Sequence, residues 1–415
     1  MTHALFITRA WPENPDQATH GVFQRMSLFL DALCDTIGNV EMLVFAPRAD
    51  TLQENAGRFE SRLRGKHGPG ITIKVQARRP SPNPWNFASR YLAPIASIDR
   101  QEGYINISGA EHSEAIQEAL ARNPAIVFAH RLHAFTPLWP SLARLTVPLV
   151  FDVDDIEHRA LFRNIVAQPQ WPSERMRLLH LPAVLLRERA ALRRSTASFT
   201  CSEGDAKVLR RLASVDSVHA IPNTVSVPDQ IPLRDPMSQS LGFIGSFAHP
   251  PNVDAVRRLL ANIWPQVHAS NPAARLRIAG SGSLKIFGDF HGKRGVEILD
   301  FVADLAAFYQ SLNAVVTPLR FGAGTRVKII EAAGYGLPII STSLGAEGLM
   351  FAPGTEILFA ESDQEFVRQC LSILAQRETA ARIGMAARAA FKMHYDRDAV
   401  VNKIKCHIAP GVSQQ

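Results

Sequence analysis

Short apolar runs rich in Val, Ile and Phe recur along this chain with helix-patterned segments between them, and the series starts over once. Strand-length runs alternating with helical periods are the pattern of βα units on a parallel sheet, which narrows the fold to the α/β class. The first series is Ala4–Thr8, Val40–Ala46, Ile71–Ala77, Ala125–His130, Pro148–Val153, Ala197–Cys201 and Val218–Pro222. The second is Leu241–Gly245, Arg275–Gly280, Val296–Leu299, Asn313–Leu319, Leu337–Thr342 and Glu356–Phe359. Between them, Asn223–Gln239 carries Pro228, Pro232 and Pro236 with no sustained period, which is the composition of a linker. The expected organisation is two doubly wound parallel-sheet domains, 1–223 and 241–394, joined by a linker over 224–240. Residues 395–415 are expected to form a C-terminal helix and tail that packs back on the first domain. A length of 415 residues suits two domains of ordinary size.

With 46% hydrophobic and 20% charged residues, the chain is able to bury large cores, and global disorder is excluded. The net charge of +7 is spread evenly, which fits a protein that handles phosphates or rests on an anionic membrane and gives no argument for nucleic-acid binding. Cys34, Cys201, Cys370 and Cys406 lie far apart with no CxxC pair, so they read as reduced thiols in a reducing, cytoplasmic compartment. The N-terminus lacks the basic start and long apolar core of a signal peptide, and no apolar run is long enough to span a membrane. The segment Ser173–Arg194 reads as one helix with arginines around a leucine stripe: a surface helix with snorkelling arginines, or a peripheral contact with the inner membrane.

The stretch Leu319–Glu331, LRFGAGTRVKIIE, is the most informative. Gly322, Ala323 and Gly324 follow a strand and precede a helix that Thr325 can cap, leaving outward-pointing amides as an anion cradle. Arg326 and Lys328 then fall in the first helical turn, where the helix dipole disfavours cations by about 0.3–1 kcal/mol each. A bound polyanion removes that conflict. Glu331 shares a flank with Lys328. The bland alternative is a surface helix with Lys328 and Glu331 as a solvated pair.

The run PLRFGAGTRVKIIEAAGYGLPIISTSLGAEGL resembles the donor-binding segment of retaining GT-B glycosyltransferases, in the large family-4-like bacterial group that builds exopolysaccharide and lipopolysaccharide sugars, and in its TRxK subgroup. LGFIGSFAHPPNVDAV, RLRIAGSGS and VEILDFVADL resemble other units of the same domain, and AIVFAH, FDVDDIEHR, FTCSEGDAKVL and HAIPNTV resemble segments of the first domain. The resemblance implies two Rossmann-like domains facing each other across a cleft. It implies a retaining hexosyltransferase of surface polysaccharide biosynthesis that takes a UDP- or GDP-linked sugar, without metal or cofactor, to a carbohydrate or lipid-linked acceptor. By position, Arg326 and Lys328 hold the donor diphosphate and His130 stands near the donor sugar; a strand-end histidine with a satisfied hydrogen bond is the alternative. Glu331 takes the ribose hydroxyls. Gly245, Gly322, Gly324, Thr325, Val302 and the loop Gly280–Gly282 complete the donor side.

Departures from the family pattern accompany it. Ala323 replaces the first of two glutamates, Ser246–His249 replaces a loop that often carries Arg and Lys, and Asp300 stands where a glycine is usual. On the acceptor side, the long loop Arg9–His20 offers Trp11 and His20, followed by Gly21. FDVDDIEHR offers Asp152 and Asp154, whose DxD spacing imitates a metal site only weakly and is read as lining the acceptor side, with helix capping as the alternative. Two other functions stay open: a catalytically silent nucleotide-binding subunit, encouraged by Ala323, and a nucleotide-sugar epimerase.

Overall fold

All the apolar runs form strands, with ends that differ by at most a residue or two. In the computed structural model they are β1 Ala4–Thr8, β2 Val40–Ala46, β3 Ile71–Ala77, β4 Ile126–His130, β5 Leu149–Asp154, β6 Ala197–Thr200 and β7 Val218–Ala220. The second set is β8 Ser240–Ile244, β9 Arg275–Ala279, β10 Val296–Leu299, β11 Ala314–Thr317, β12 Ile339–Ser341 and β13 Leu358–Phe359. The residues described are 2–12, 21–48, 52–80, 88–167, 175–228, 239–302, 304–322, 324 and 326–412. By contacts the chain divides into a first unit, 1–223 with 397–415, and a second, 224–396.

The first unit holds a 7-stranded sheet ordered β3-β2-β1-β4-β5-β6-β7, and the second a 6-stranded sheet ordered β10-β9-β8-β11-β12-β13. Every pairing is parallel. Parallel strands need helical crossovers, which cover both sheet faces, so successive side chains of one strand enter two different cores. Ala4 and Phe6 of β1 join one cluster while Leu5 and Ile7 join the other. In the second unit Val316 of β11 faces one core and Val315 the other. The strand order reverses between β1 and β4 and between β8 and β11. Loops leaving those carboxyl ends diverge and open a crevice in each unit.

Helix Arg397–Val412 belongs to the first unit, where Val400, Val401, Ile404 and Ile408 bury against the core that also takes helix Gly21–Ile37. Lys403 Nζ donates to the carbonyl of Ala220 at 2.8 Å, and Lys405 Nζ to Asp35 at 2.9 Å.

Two local expectations are corrected: one helix over Ser173–Arg194, and Asn252 as the residue that caps the helix after β8. Ser173 and Glu174 lie outside the described residues, and the rest of that span is not one α-helix: a short 3-10 helix Arg175–His180 precedes helix Leu181–Arg194, with Pro182 in its first turn. A proline lacks the N–H that a continuous helix needs and clashes with the preceding turn, so the helix restarts there. Asn252 is not a helix cap; the N-cap position of helix Pro250–Arg258 is His249, and Pro250 and Pro251 occupy the first turn.

Candidate active site

In the second unit the two crevice loops follow β8 and β11. Gly245 and Gly280, at the ends of β8 and β9, touch backbone to backbone: a Cβ on Gly280, whose φ is +136°, would lie 2.0 Å from the Gly245 carbonyl oxygen. No other residue fits there without moving a strand. Gly322, with φ +122°, follows β11, and a Cβ there would meet the Arg326 guanidinium at 2.6 Å. Helix Val327–Gly334 starts from an N-cap at Arg326, one residue later than expected; Thr325 and Ala323 lie outside the described residues.

Lys328 turns back over Gly245. Its ammonium donates to Asn252 Oδ1 at 2.7 Å and sits 4.0 Å from the centroid of the Phe243 ring, while Asn252 Nδ2 donates to the Ser246 carbonyl at 2.7 Å. A Cβ on Gly245 would lie 2.7 Å from that ammonium, so the glycine makes the notch that the lysine fills. Burial, with Arg326 adding like charge, lowers the Lys328 pKa to about 7. Among the described residues no carboxylate is within ion-pair distance of it. The loop that lacks the usual Arg and Lys instead buries Phe247 between Phe243 and Phe287.

One turn along the helix, Glu331 Oε2 accepts from the Tyr309 hydroxyl at 2.8 Å, and Tyr309 stacks on Tyr335 with centroids 4.9 Å apart. Sequence reasoning missed Tyr309, which holds the Glu331 carboxylate; a tyrosine inside an apolar helix was the signal. Gly282, with φ +84°, caps helix Ser283–Phe287, and Asp300 Oδ1 accepts from the Leu284 N–H at 3.3 Å. The departure at Asp300 therefore secures this loop. Val302 is half-buried against the core, and Phe301 beside it is 59% exposed.

In the first unit the crevice between β1 and β4 holds a buried charged network. Asp152 is wholly enclosed; Arg25 Nε donates to both its oxygens at 2.9 Å and Nη2 to Oδ1 at 2.5 Å. Arg25 Nη1 donates to the Ile221 carbonyl and to Asn223 Oδ1, each at 3.0 Å. Sequence reasoning missed Arg25; the available signal was a cation on the apolar side of helix Gly21–Ile37. Asp154 accepts from Arg131 Nε at 2.8 Å, and against the penalty of burial Arg131 and Arg25 hold its carboxyl below the usual range. Both partners have left-handed backbones, φ 67° at Arg131 and 57° at Asp154. Such strain in non-glycine residues costs about 1–3 kcal/mol each and gathers at functional sites.

His130 Nδ1 lies 2.8 Å from Thr8 Oγ1, which accepts the Ala10 N–H at 2.9 Å. Its Nε2 is buried without a hydrogen-bond partner and is 3.8 Å from Asp152 Oδ2. Burial, then the charges of Arg131 and Arg25, lower its pKa to about 3, so the imidazole is neutral at working pH. The structure thus brings together Arg326, Lys328, Gly245, Gly280 and Gly322 in one unit and His130, Asp152 and Asp154 in the other. Trp11 stands apart, its ring edge on Phe59 at 6.0 Å, and Gly21 opens a helix; His20 lies outside the described residues. Among the described residues no group of three or more His, Cys, Asp or Glu is placed to hold a metal ion.

The whole chain is similar to Anabaena HepE solved in complex with UDP, at 14% identity, covering 100% of both chains with a TM-score of 0.67. It is similar to sucrose-phosphate synthase from Thermosynechococcus elongatus at 12% identity, 100% of both chains and a TM-score of 0.68. TarM, known from S. aureus, aligns at 11% identity over 98% of both chains with a TM-score of 0.64. The fold is that of the GT-B glycosyltransferases. Residues 238–376 match the family model described as Glycosyl transferases group 1, a span that contains Gly245, Lys328 and Glu331. A curated relative, an uncharacterized 44.6 kDa protein in the cps region of Klebsiella pneumoniae, is 24% identical over 196 residues. That match takes in 43% of this chain and 50% of the relative, so the chain spans about half the length of the curated relative it matches. Among the described residues no helix is long and apolar enough to cross a membrane.

Proposed function

We propose that this GT-B chain is a hexosyltransferase of surface polysaccharide biosynthesis, moving a sugar from a UDP- or GDP-linked donor to a carbohydrate or lipid-linked acceptor with retention and without metal or cofactor. The observation that carries the reading is the Lys328 ammonium, desolvated over Gly245 with no carboxylate partner among the described residues. A cation in that state asks for an anion, and a helix N-terminus beside it suits a diphosphate. Arg326 and Lys328 take the diphosphate, Glu331 held by Tyr309 takes the ribose hydroxyls, and the base lies by Val302 and the Gly280–Gly282 loop. The carbon–oxygen bond to the leaving phosphate breaks as the acceptor oxygen bonds to the same face of the anomeric carbon, and the acceptor proton passes to the departing phosphate oxygen. The protein then needs charge stabilisation more than a base, consistent with a neutral His130 that donates or accepts a hydrogen bond at the sugar. Asp152 and Asp154 do not fit a divalent ion, because both carboxylates already serve Arg25 and Arg131.

A peripheral seat on the cytoplasmic membrane face is part of the proposal. Leu92, Ile95, Phe162, Val166, Leu179 and Leu186, each between 38% and 60% exposed, lie on mutually packed helical segments of the first unit. Exposed apolar side chains gathered in this way suit a lipid surface. The reaction itself is tested by incubating the chain with UDP- and GDP-hexoses and an oligosaccharide acceptor panel. Sugar transfer by the wild type, lost by at least about a hundredfold in Lys328→Met, is the expected result; tight nucleotide binding without transfer favours the silent subunit.

A further inference from the structure

A group of cations and donors that the proposed reaction leaves unused stands at the carboxyl end of the first unit's sheet. Arg9 follows β1, Arg78 follows β3, His133 follows β4, and Tyr104 reaches them from a loop. Arg78 Nη2 donates to the Arg9 carbonyl and its Nε to the Phe45 carbonyl at 2.7 Å. Tyr104 stacks on His133 with centroids 4.2 Å apart and planes 13° from parallel. A Cβ on Gly103 would lie 3.4 Å from both Arg9 Nη1 and His133 Nε2, so the guanidinium and the imidazole flank a space kept open by a glycine with φ +90°. Arg9 Nε and the Tyr104 hydroxyl are buried without a hydrogen-bond partner, and Tyr104 is only 6% exposed. Among the described residues neither Arg9 nor Arg78 has a carboxylate at ion-pair distance, whereas Arg131 is taken by Asp154. Among the described residues Glu157 stands 3.9 Å from His133 Nδ1, one carboxylate beside two arginines.

Half-buried guanidiniums without counter-ions, beside an unsatisfied hydroxyl, carry a desolvation penalty that a ligand anion relieves. We infer that Arg9, Arg78 and Tyr104 form a subsite for an acidic group, a carboxylate or a phosphate, on the acceptor. The inference rests on the reading of this unit as the acceptor side and names the substrate class: an acidic sugar or a phosphate-linked glycan, as opposed to a neutral one. His133 acts as a positioning residue that holds Tyr104 by stacking.

The test is calorimetric titration of the full chain, with UDP or GDP present, using inorganic phosphate, glucuronate and glucose as probes. Phosphate or glucuronate binds and glucose does not; which of the two acids binds identifies the source of the charge. Arg9→Gln weakens the bound acid about tenfold or more, Arg9→Lys less, and Tyr104→Phe weakens it while keeping the stack. Arg78→Gln alone decides nothing, since Arg78 also ties two backbone carbonyls, so Arg9 and Tyr104 carry the test. No binding of either acid, or equal binding by wild type and Arg9→Gln, overturns the subsite. Affinity for UDP or GDP is read separately: its absence defeats the glycosyltransferase reading and leaves the anion comparison standing.

Discussion

In the proposed reaction Lys328 couples nucleotide binding to protons. With a pKa of about 7 in the free protein, it is about half charged at neutral pH, and a diphosphate raises its pKa towards the ordinary lysine range. Binding of UDP or GDP near pH 7.5 should therefore take up a fraction of a proton, read as a dependence of the calorimetric enthalpy on buffer ionisation enthalpy, and Lys328→Met should abolish that uptake. His130 links protons to stability instead. Its pKa falls from 6.5 in the unfolded chain to about 3 in the folded one, so the unfolded state binds the extra proton between those values. Stability from this group is full above about pH 6.5 and is lost as pH falls towards 3; by pH 5 the loss is about 2 kcal/mol. His130→Asn should lose correspondingly less stability than the wild type between pH 7 and pH 5 in urea unfolding. At this scale the sequence offered Lys328 and His130 as candidates but not their protonation, because desolvation depends on neighbours that arrive from other strands.

Two elements hold the crevice of the second unit in shape. β8 and β9 approach so closely at Gly245 and Gly280 that Gly280→Ala forces a Cβ to 2.0 Å from a carbonyl oxygen, at a φ that alanine avoids. It should cost at least about 2 kcal/mol of stability in the second unit, measured as a lower urea midpoint. Gly245→Ala first meets the side-chain ends of Lys328 and Asn252 rather than backbone, so it should spare the fold and weaken UDP or GDP binding. In the first unit the last helix is part of the core. Deleting 397–415 exposes the surfaces that Val400, Val401, Ile404 and Ile408 cover. At about 1.5–3 kcal/mol for each such side chain, the loss rivals the whole stability of a domain, about 5–15 kcal/mol. The truncated chain should fail to give a cooperative melting transition for that unit. Strand positions were legible because a buried parallel strand is a short apolar run. The break at Pro182 and the true cap at His249 were less so, since both depend on where a helix starts and not on its period.

For the molecule as a whole, the proposed reaction predicts full activity after exhaustive EDTA treatment and a first-formed product that keeps the donor's anomeric configuration. Loss of activity in EDTA, restored by magnesium or manganese, would overturn the cation-and-helix account of the leaving group. An inverted product would overturn the same-face mechanism. The sequence by itself determined two α/β units and the glycine turn that leads from β11 into helix Val327–Gly334, because each is local: a strand, a glycine turn and one helix, adjacent in the chain. Only the tertiary structure decided which partners complete them. Arg25 meets Asp152 across 127 residues, Lys328 meets Asn252 across 76, and Glu331 meets Tyr309 across 22. The same holds for Arg9, Arg78 and Tyr104, on separate loops: two arginines with no carboxylate at ion-pair distance among the described residues, and a hydroxyl without a hydrogen-bond partner, meet only once the sheet has gathered its carboxyl ends. A parallel sheet makes neighbours of segments that the chain keeps far apart, and the burial that gives those pairs their energy is a property of the neighbours.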